Sequence, residues 1–166
     1  MLFSYLAGIT KNIEFVTGVV ILPQRQAALL AKQAADLDLL CEGRLILGVG
    51  SGWNYVEYES LGMEYRNRAK RMEEQVHVMR ELWGKQVVDF DGKYHRVDRA
   101  GIYPLPNRQI PVWFGGSAEA SVRRAGRMGD GYIFGNLGAR VDAANVILKE
   151  ELEANGRSLQ HFSREL

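Results

Sequence analysis

Residues Leu45 to Gly62, LILGVGSGWNYVEYESLG, decide how the rest of the chain is read. The segment opens as a short apolar strand, Leu45 to Val49, and runs into Gly48, Gly50 and Gly52, which remove side chains at alternate positions. A strand that ends in glycines lets a planar group or an anion approach the backbone, because no Cβ stands in the way. Trp53 follows at the lip of that turn. A second unit repeats the arrangement. Ile110 to Phe114, IPVWF, is β-rich and is followed by Gly115, Gly116 and Ser117 and then by the helix-like EASVRRAGRM. Two strand, glycine and helix units in one chain suggest a ligand site at the C-terminal ends of strands.

Outward from these units the pattern alternates. Ile13 to Ile21, IEFVTGVVI, is β-branched and almost continuously apolar, as in a strand covered on both faces of a parallel sheet. Gly18 inside it marks a bulge or a close backbone approach, and Pro23 ends the run. Gln26 to Leu40 sets Leu30, Ala34, Leu37 and Cys41 at helical spacing, with Gly43 as the stop. Asn67 to Trp83 carries Met72, Val76, Met79 and Trp83 on one stripe against a charged face, which predicts an amphipathic helix. Val87 to Val97 holds Asp91-Gly92 between two β-rich arms, the signal of a two-residue hairpin inserted outside the alternation. After Ile110 to Phe114 come a helix from Ser117 to about Met128, a short strand Gly131 to Phe134, and a helix striped by Val141, Ala144, Leu148 and Leu152 that ends near Gly156.

Strands alternating with helices predict an α/β fold with a parallel sheet and helical crossovers. An open doubly wound sheet would gain support from a dinucleotide fingerprint at Gly48, Gly50 and Gly52. The third glycine is misplaced, Trp53 stands in its position, and no acidic residue closes a strand about 20 residues on. A (β/α) barrel is the better reading.

Composition narrows the function classes. With 166 residues, 46% hydrophobic and 25% charged, the chain is ordinary globular material for one domain, which argues against disorder and against a membrane protein. A net charge of +1 with both signs interspersed gives no field for nucleic acid or an anionic membrane. Arg66, Arg68, Lys70 and Arg71 read as the solvated start of a helix. Cys41 is the single cysteine, which excludes an internal disulfide and a thiolate metal cluster and fits a reduced, cytoplasmic setting. Met1 is followed by apolar residues with no basic run before them, and Lys11 interrupts, so no signal peptide is expected. His77, His95 and His161 lack metal-ligand spacing, so no metal site is expected either.

Taken in order and spacing, VTGVVILPQR (Val16 to Arg25), AKQAADLDLL, Leu45 to Gly62, and IPVWFGGSAEASVRRAGRMGDGYIFG (Ile110 to Gly135) resemble the bacterial-luciferase-like superfamily. Within it they are similar to the flavin- or deazaflavin-dependent oxidoreductases. The resemblance runs to about Arg157, so residues 1–157 read as a partial luciferase-like domain and 158–166 as a C-terminal tail. It implies a TIM-type (β/α) barrel that binds FMN or the deazaflavin coenzyme F-420 at the strand C-termini. It also implies hydride transfer to or from a small-molecule substrate, or monooxygenation with FMN and oxygen, and a homodimer or higher homo-oligomer.

In such proteins the strand matching Ile13 to Ile21 ends in a bulge behind the flavin ring, often with a non-proline cis peptide; Gly18-Val19 is the matching step. Gly50 and Ser51 match the position beside ring and phosphate, and Gly115, Gly116 and Ser117 match the phosphate-cradling turn. Physics agrees at the latter, since free N–H groups at a helix start attract an anion, and Ser117 would either cap the helix or donate to phosphate. Trp53 and Asn54 match the substrate pocket, and no residue stands out as a catalytic acid or base. Luciferase proper carries a reactive cysteine and an arginine where this chain has Gly50 and Ser51, so light emission is not implied. Sugar-phosphate dehydrogenases of the deazaflavin branch carry a carboxylate where this chain has Trp53, so a glucose-6-phosphate-type substrate is not implied either.

A barrel of this kind uses eight strands and about 250 residues. This chain supplies strands at 13–21, 45–49, 110–114 and 131–134 plus a hairpin, and so corresponds to the middle of the family domain. Unpaired sheet edges would need cover. Three outcomes stay open: a truncated piece, a homodimer in which two halves approximate a whole, or a rearranged smaller α/β domain. The expected function is a flavin- or deazaflavin-dependent oxidoreductase. The alternative is a truncated or degenerate non-catalytic member that acts as a binding or assembly partner.

Overall fold

The computed structural model describes residues 2–135 and 140–165. In chain order the elements are α1 (Leu2–Ile9), β1 (Phe15–Val16), β2 (Val20–Ile21), α2 (Ala27–Leu40), β3 (Leu45–Gly50), α3 (Tyr55–Ser60) and α4 (Arg68–Gly84). They continue with β4 (Val88–Asp91), β5 (Arg96–Ala100), β6 (Val112–Gly116), α5 (Glu119–Met128), β7 (Gly131–Phe134), α6 (Arg140–Ala154) and β8 (Ser163–Glu165). Two compact units divide the chain. One comprises Met1–Phe15, Ile21–Leu45 and Ser51–Ile110, the other Val16–Val20, Ile46–Gly50 and Pro111–Leu166.

The second unit is built on the sheet, whose strand order is β1-β3-β6-β7-β8 with β2 also pairing β3. β3 lies parallel to β6 with Leu47 opposite Val112, β6 parallel to β7 with Trp113 opposite Gly131, and β7 parallel to β8 with Gly131 opposite Ser163. From β3 onward each parallel strand is added beside its predecessor after a crossover, as in a (β/α) barrel, whereas a doubly wound sheet reverses direction at a switch point. β3 is buried at all six positions, which is why its sequence is apolar without alternation. A Cβ on Gly48 would overlap the carbonyl oxygen of Thr17 and lie 2.7 Å from Ile133 Cδ1, so glycine is required there by sheet packing. On the flank of the sheet α5 packs against α6 through Val122 and Ala125 on one side and Leu148 and Leu152 on the other. Arg157 closes the C-terminal end of α5 by donating to Gly126 O at 2.8 Å.

The first unit is helical. The stripe Met72, Val76, Met79 and Trp83 of α4 is buried as its spacing predicts. On α2 the buried face is Ala27, Ala31, Ala34, Ala35 and Asp38; of the expected stripe Ala34 and Cys41 are buried, while Leu30 and Leu37 are only half-buried. Small residues let α4 come close: the Trp83 indole reaches across and donates to Ala31 O at 2.9 Å. Asp38, 2% exposed, accepts from Arg108 Nη2 at 2.9 Å, and the same guanidinium nitrogen donates to Leu45 O at 2.7 Å. That pair ties the segment before β6 to α2.

Several expectations are corrected. The strand Ile13 to Ile21 is two short strands, because the chain turns at a cis Gly18-Val19 peptide between them, and Ile13 stays exposed. β6 begins two residues later than the run Ile110 to Phe114, with Ile110 buried ahead of it. α3 and β8 have no counterpart in the sequence reading, and β8 adds a strand from within residues 158–166. The hairpin does form its own two-stranded sheet outside the main one, but Asp91 pairs with Arg96 and the loop is Gly92 to His95.

A distant carboxylate sets that loop. Glu74 of α4 accepts from Lys93 N at 2.8 Å and from Tyr94 N and His95 N at 2.7 Å, while His95 Nδ1 lies 2.8 Å from the same group. Three consecutive amides cannot converge on one carboxylate from a two-residue turn. Burial alone would raise the Glu74 pKa, but the bonds from Tyr94, His95 and Lys93 outweigh it and hold the carboxyl below its ordinary value. Burial likewise pushes the His95 pKa down, with the Glu74 bond opposing and Arg71 reinforcing, so the imidazole is neutral and its Nδ1–H is the donor. No helix among the described residues is long and apolar enough to cross a membrane.

Candidate active site

In the second unit the C-terminal ends of β3 and β6 meet the Gly18-Val19 step through one side chain. Val19 Cγ2 would lie 2.8 Å from a Cβ on Gly50, and Val19 Cγ1 2.7 Å from a Cβ on Gly115. Val19 therefore fills the space that side chains at both positions would need, and the structure brings Val19, Gly50 and Gly115 together, with Gly18 adjoining Val19 in the chain. Thr17 fixes the approach: its hydroxyl donates to Gly48 O at 2.8 Å. A Cβ on Gly18 would meet nothing within 4 Å. Gly18 thus presents open backbone, a cradle that a flat ring can approach.

The Gly115 to Ser117 turn is held from beneath. Tyr132, buried on β7, donates its hydroxyl to Gly116 O at 2.7 Å and lies 2.9 Å from Ser121 Oγ, which in turn donates to Ala118 O at 2.6 Å. Burial pushes the Tyr132 phenol pKa up, with the Ser121 contact opposing, so it remains a donor at neutral pH. Gly116 has φ +156°, and a Cβ there would lie 2.7 Å from Ser121 Oγ. Ser117 does not cap the following helix. α5 starts at Glu119, its N-cap is Ala118 without a side-chain bond, and Glu119 in the first turn already answers part of the helix dipole. The Ser117 hydroxyl is exposed, and a small cleft of about 30 Å³ beside it is lined by Ser117, Val122, Tyr132 and Phe134.

In the first unit the segment from Ser51 to Asn54 is braced at three points. Tyr58, fully buried, donates to Ser51 O at 2.6 Å, and burial chiefly drives its pKa up to about 12 against the opposing Arg68 charge. Tyr65 donates to Trp53 O at 3.0 Å; its ring stands edge-on to Tyr58 at 5.3 Å and carries the Arg68 guanidinium 3.8 Å above it. Asn54 caps α3, its Oδ1 accepting from Val56 N at 3.1 Å and its Nδ2 donating to Glu57 at 3.2 Å. Asn54 is thus occupied in holding the helix. The Trp53 ring, 83% exposed, is displayed on a fixed backbone.

The tyrosines that fix these turns were missed in the sequence. Their one available signal is that a buried tyrosine hydroxyl needs a partner; Tyr58 lies a few residues from the turn it holds, whereas Tyr132 lies on the next strand, far in sequence from Gly116. Among the described residues no group of His, Cys, Asp or Glu is placed to hold a metal ion.

The model of the luciferase-like monooxygenase family matches residues 1–164. An uncharacterized protein of Mycobacterium tuberculosis is 35% identical over 135 residues, 81% of this chain and 46% of its own length. The F420-dependent glucose-6-phosphate dehydrogenase of Mycolicibacterium smegmatis is 39% identical over 129 residues, 75% of this chain and 38% of that protein. Among solved structures, the coenzyme F420-dependent tetrahydromethanopterin reductase of Methanopyrus kandleri superposes with a TM-score of 0.88 at 20% identity, over 98% of this chain and 52% of that one. That last likeness is one of fold. The chain spans about half or less of the relatives it matches, and it belongs to the luciferase-like monooxygenase family.

Proposed function

We propose that this chain forms the cofactor-holding part of a flavin- or deazaflavin-dependent oxidoreductase that moves a hydride between coenzyme F420 or FMN and a small organic substrate. The observation that carries the reading is the open backbone at Gly18, which Val19 sets against the strand ends at Gly50 and Gly115. A ring would lie against the Gly18-Val19 backbone, and Gly115, Gly116 and Ser117 would take the phosphate through amide and hydroxyl donors. The deazaflavin is the favoured group, on the name of the relative that is 39% identical. When bound, it supplies the hydride chemistry.

The chain's own part is to hold and orient. At these strand ends the polar groups are amides, carbonyls and hydroxyls, and the Tyr132 hydroxyl, kept protonated by burial, donates rather than abstracts. Family resemblance assigns Ser51 to the cofactor and Trp53 with Asn54 to the substrate pocket. The exposed Trp53 ring is the contact, and Asn54 supports it by capping α3. An apolar indole favours an uncharged, partly apolar substrate over a sugar phosphate. A homodimer in a reduced cytoplasm, where buried Cys41 remains a thiol, completes the reading.

Titration of the purified chain with coenzyme F420 and with FMN, followed by ligand fluorescence, tests the proposal. Saturable binding of one, with a dimer mass by light scattering of the same sample, is the expected result. A monomer that binds neither would favour the non-catalytic binding or assembly partner.

A further inference from the structure

The hydroxyl pair beneath the Gly116 turn has more acceptors than protons. Tyr132 and Ser121 bring one hydroxyl proton each, yet three contacts ask for one: Tyr132 to Gly116 O at 2.7 Å, Ser121 to Ala118 O at 2.6 Å, and the 2.9 Å approach of the two hydroxyls. Both carbonyl bonds can be made at once, with the hydroxyls in contact but sharing no proton, and two chains that use the contact are also available. In one, Ser121 donates to Tyr132 and Tyr132 donates to Gly116 O. In the other, Tyr132 donates to Ser121 and Ser121 donates to Ala118 O, which leaves Gly116 O without that donor. The phenol proton therefore has two acceptors within reach, Gly116 O and Ser121 Oγ, and only the first holds the turn.

The competition matters because a trans peptide points its carbonyl and its N–H to opposite sides. When Gly116 O is drawn toward the buried phenol, the N–H of Ser117 is turned the other way, toward the exposed side of the turn. That N–H is then a fixed donor for an anion. Its orientation need not be selected from a mobile loop when the anion arrives. The Tyr132 ring is placed independently of its hydroxyl, packed edge-on against Phe134 at 4.9 Å.

We propose that Tyr132 is a positioning residue that aims the Ser117 amide at the phosphate of the bound cofactor, and that Ser121 weakens this aim by competing for the phenol proton. The inference rests on the reading of Gly115 to Ser117 as the phosphate end of a flavin site. It predicts opposite responses from two neighbouring hydroxyls. Substituting Gly116 cannot test it, since any side chain there collides with Ser121.

The experiment compares the full-length wild type, Tyr132→Phe and Ser121→Ala for binding of whichever of coenzyme F420 or FMN the wild type takes. The phosphate-free counterparts, 8-hydroxy-5-deazariboflavin or riboflavin, are titrated alongside, and a thermal melt shows each variant folded. Tyr132→Phe should bind the phosphorylated ligand about tenfold more weakly, the size of one well-placed hydrogen bond, and the phosphate-free ligand within about twofold of wild type. Ser121→Ala should bind the phosphorylated ligand as tightly as wild type or more tightly. Loss of affinity in Ser121→Ala equal to that in Tyr132→Phe, or an equal loss for both ligand forms, overturns the positioning role. Unchanged binding by Tyr132→Phe does the same while leaving the cofactor reading intact. A wild type that binds no flavin removes both.

Discussion

Replacing Glu74 by glutamine should release the hairpin loop without unfolding the helices beneath it. The carboxylate serves three loop amides and the His95 ring, Oε2 taking Lys93 N and Oε1 the rest. Glutamine keeps one carbonyl oxygen, best placed where Oε1 stands, and turns an NH₂ group against the Lys93 amide. One bond is lost outright and the others lose their charge. Bonds to a charged acceptor are worth about 1.5–3 kcal/mol each and are not additive, so local opening of the loop should become easier by about 2 kcal/mol. Amide exchange at Lys93, Tyr94 and His95 should then accelerate roughly 30-fold when exchange proceeds through local opening. The Trp83 indole, bonded to Ala31 O in the helical core, is the internal control and should keep its wild-type rate. The acid limb follows from the same contacts. His95 has a folded pKa below its usual 6.5, so its contribution is complete above about pH 6.5 and is lost progressively as pH falls toward the folded value. Glu74 has a folded pKa below its usual 4.5, so its contribution is present above that pH and is lost as pH falls through the folded value. Wild-type loop protection should therefore decline in two stages on acidification, and the lower stage should be missing in Glu74→Gln. Unchanged exchange of the three amides, or equal acceleration of the Trp83 indole, would refute the assignment of the loop to this carboxylate.

The same treatment gives two further expectations. Gly48→Ala should lower stability by about 3 kcal/mol or more, since its Cβ overlaps the Thr17 carbonyl, whereas Gly18→Ala should change it by less than about 0.5 kcal/mol, since its Cβ meets nothing. Equal melting temperatures for the two variants would show that the sheet packing is misjudged. Arg108→Ala should cost about 3–5 kcal/mol in urea unfolding, because it leaves the buried Asp38 carboxylate uncompensated, and a loss below about 1 kcal/mol would count against a structural role for the pair.

What the sequence disclosed about the fold follows the range of the forces involved. β3 was legible because burial on both faces demands unbroken apolarity, and α4 because Met72, Val76, Met79 and Trp83 recur at the helical period. These are local consequences of one-dimensional pattern. The hairpin loop was misjudged because Asp91-Gly92 is a local signal, while the residue that shapes the loop, Glu74, lies on α4 and binds three amides that no sequence pattern advertises. The stripe of α2 was half legible: Ala34 and Cys41 are buried, but Leu30 and Leu37 yield to Ala27, Ala31 and Ala35, because hydrophobicity ranks leucine above alanine while the close approach of Trp83 ranks them the other way. β8, Ser163–Glu165, was invisible because it joins β7 through backbone bonds and carries no apolar pattern.

At the site the glycines were legible, but their cause was only half so. An observer of the chain sees Gly48, Gly50 and Gly115 and infers that something must come close to the backbone. Something does, and it is the protein itself: Thr17 O stands over Gly48, and the two methyl groups of Val19 stand over Gly50 and Gly115. Those three glycines would be needed with no ligand at all, so they argue for the sheet and only indirectly for a cofactor. The ligand-directed part of the pattern reduces to the open backbone at Gly18 and the exposed Gly116-Ser117 peptide. Both glycine turns are fixed by tyrosine hydroxyls, Ser51 O by Tyr58 and Gly116 O by Tyr132. In sequence a tyrosine counts as an aromatic residue for a core. Only the fold reveals that each phenol stops under a carbonyl and, by holding it, decides which way the next amide faces.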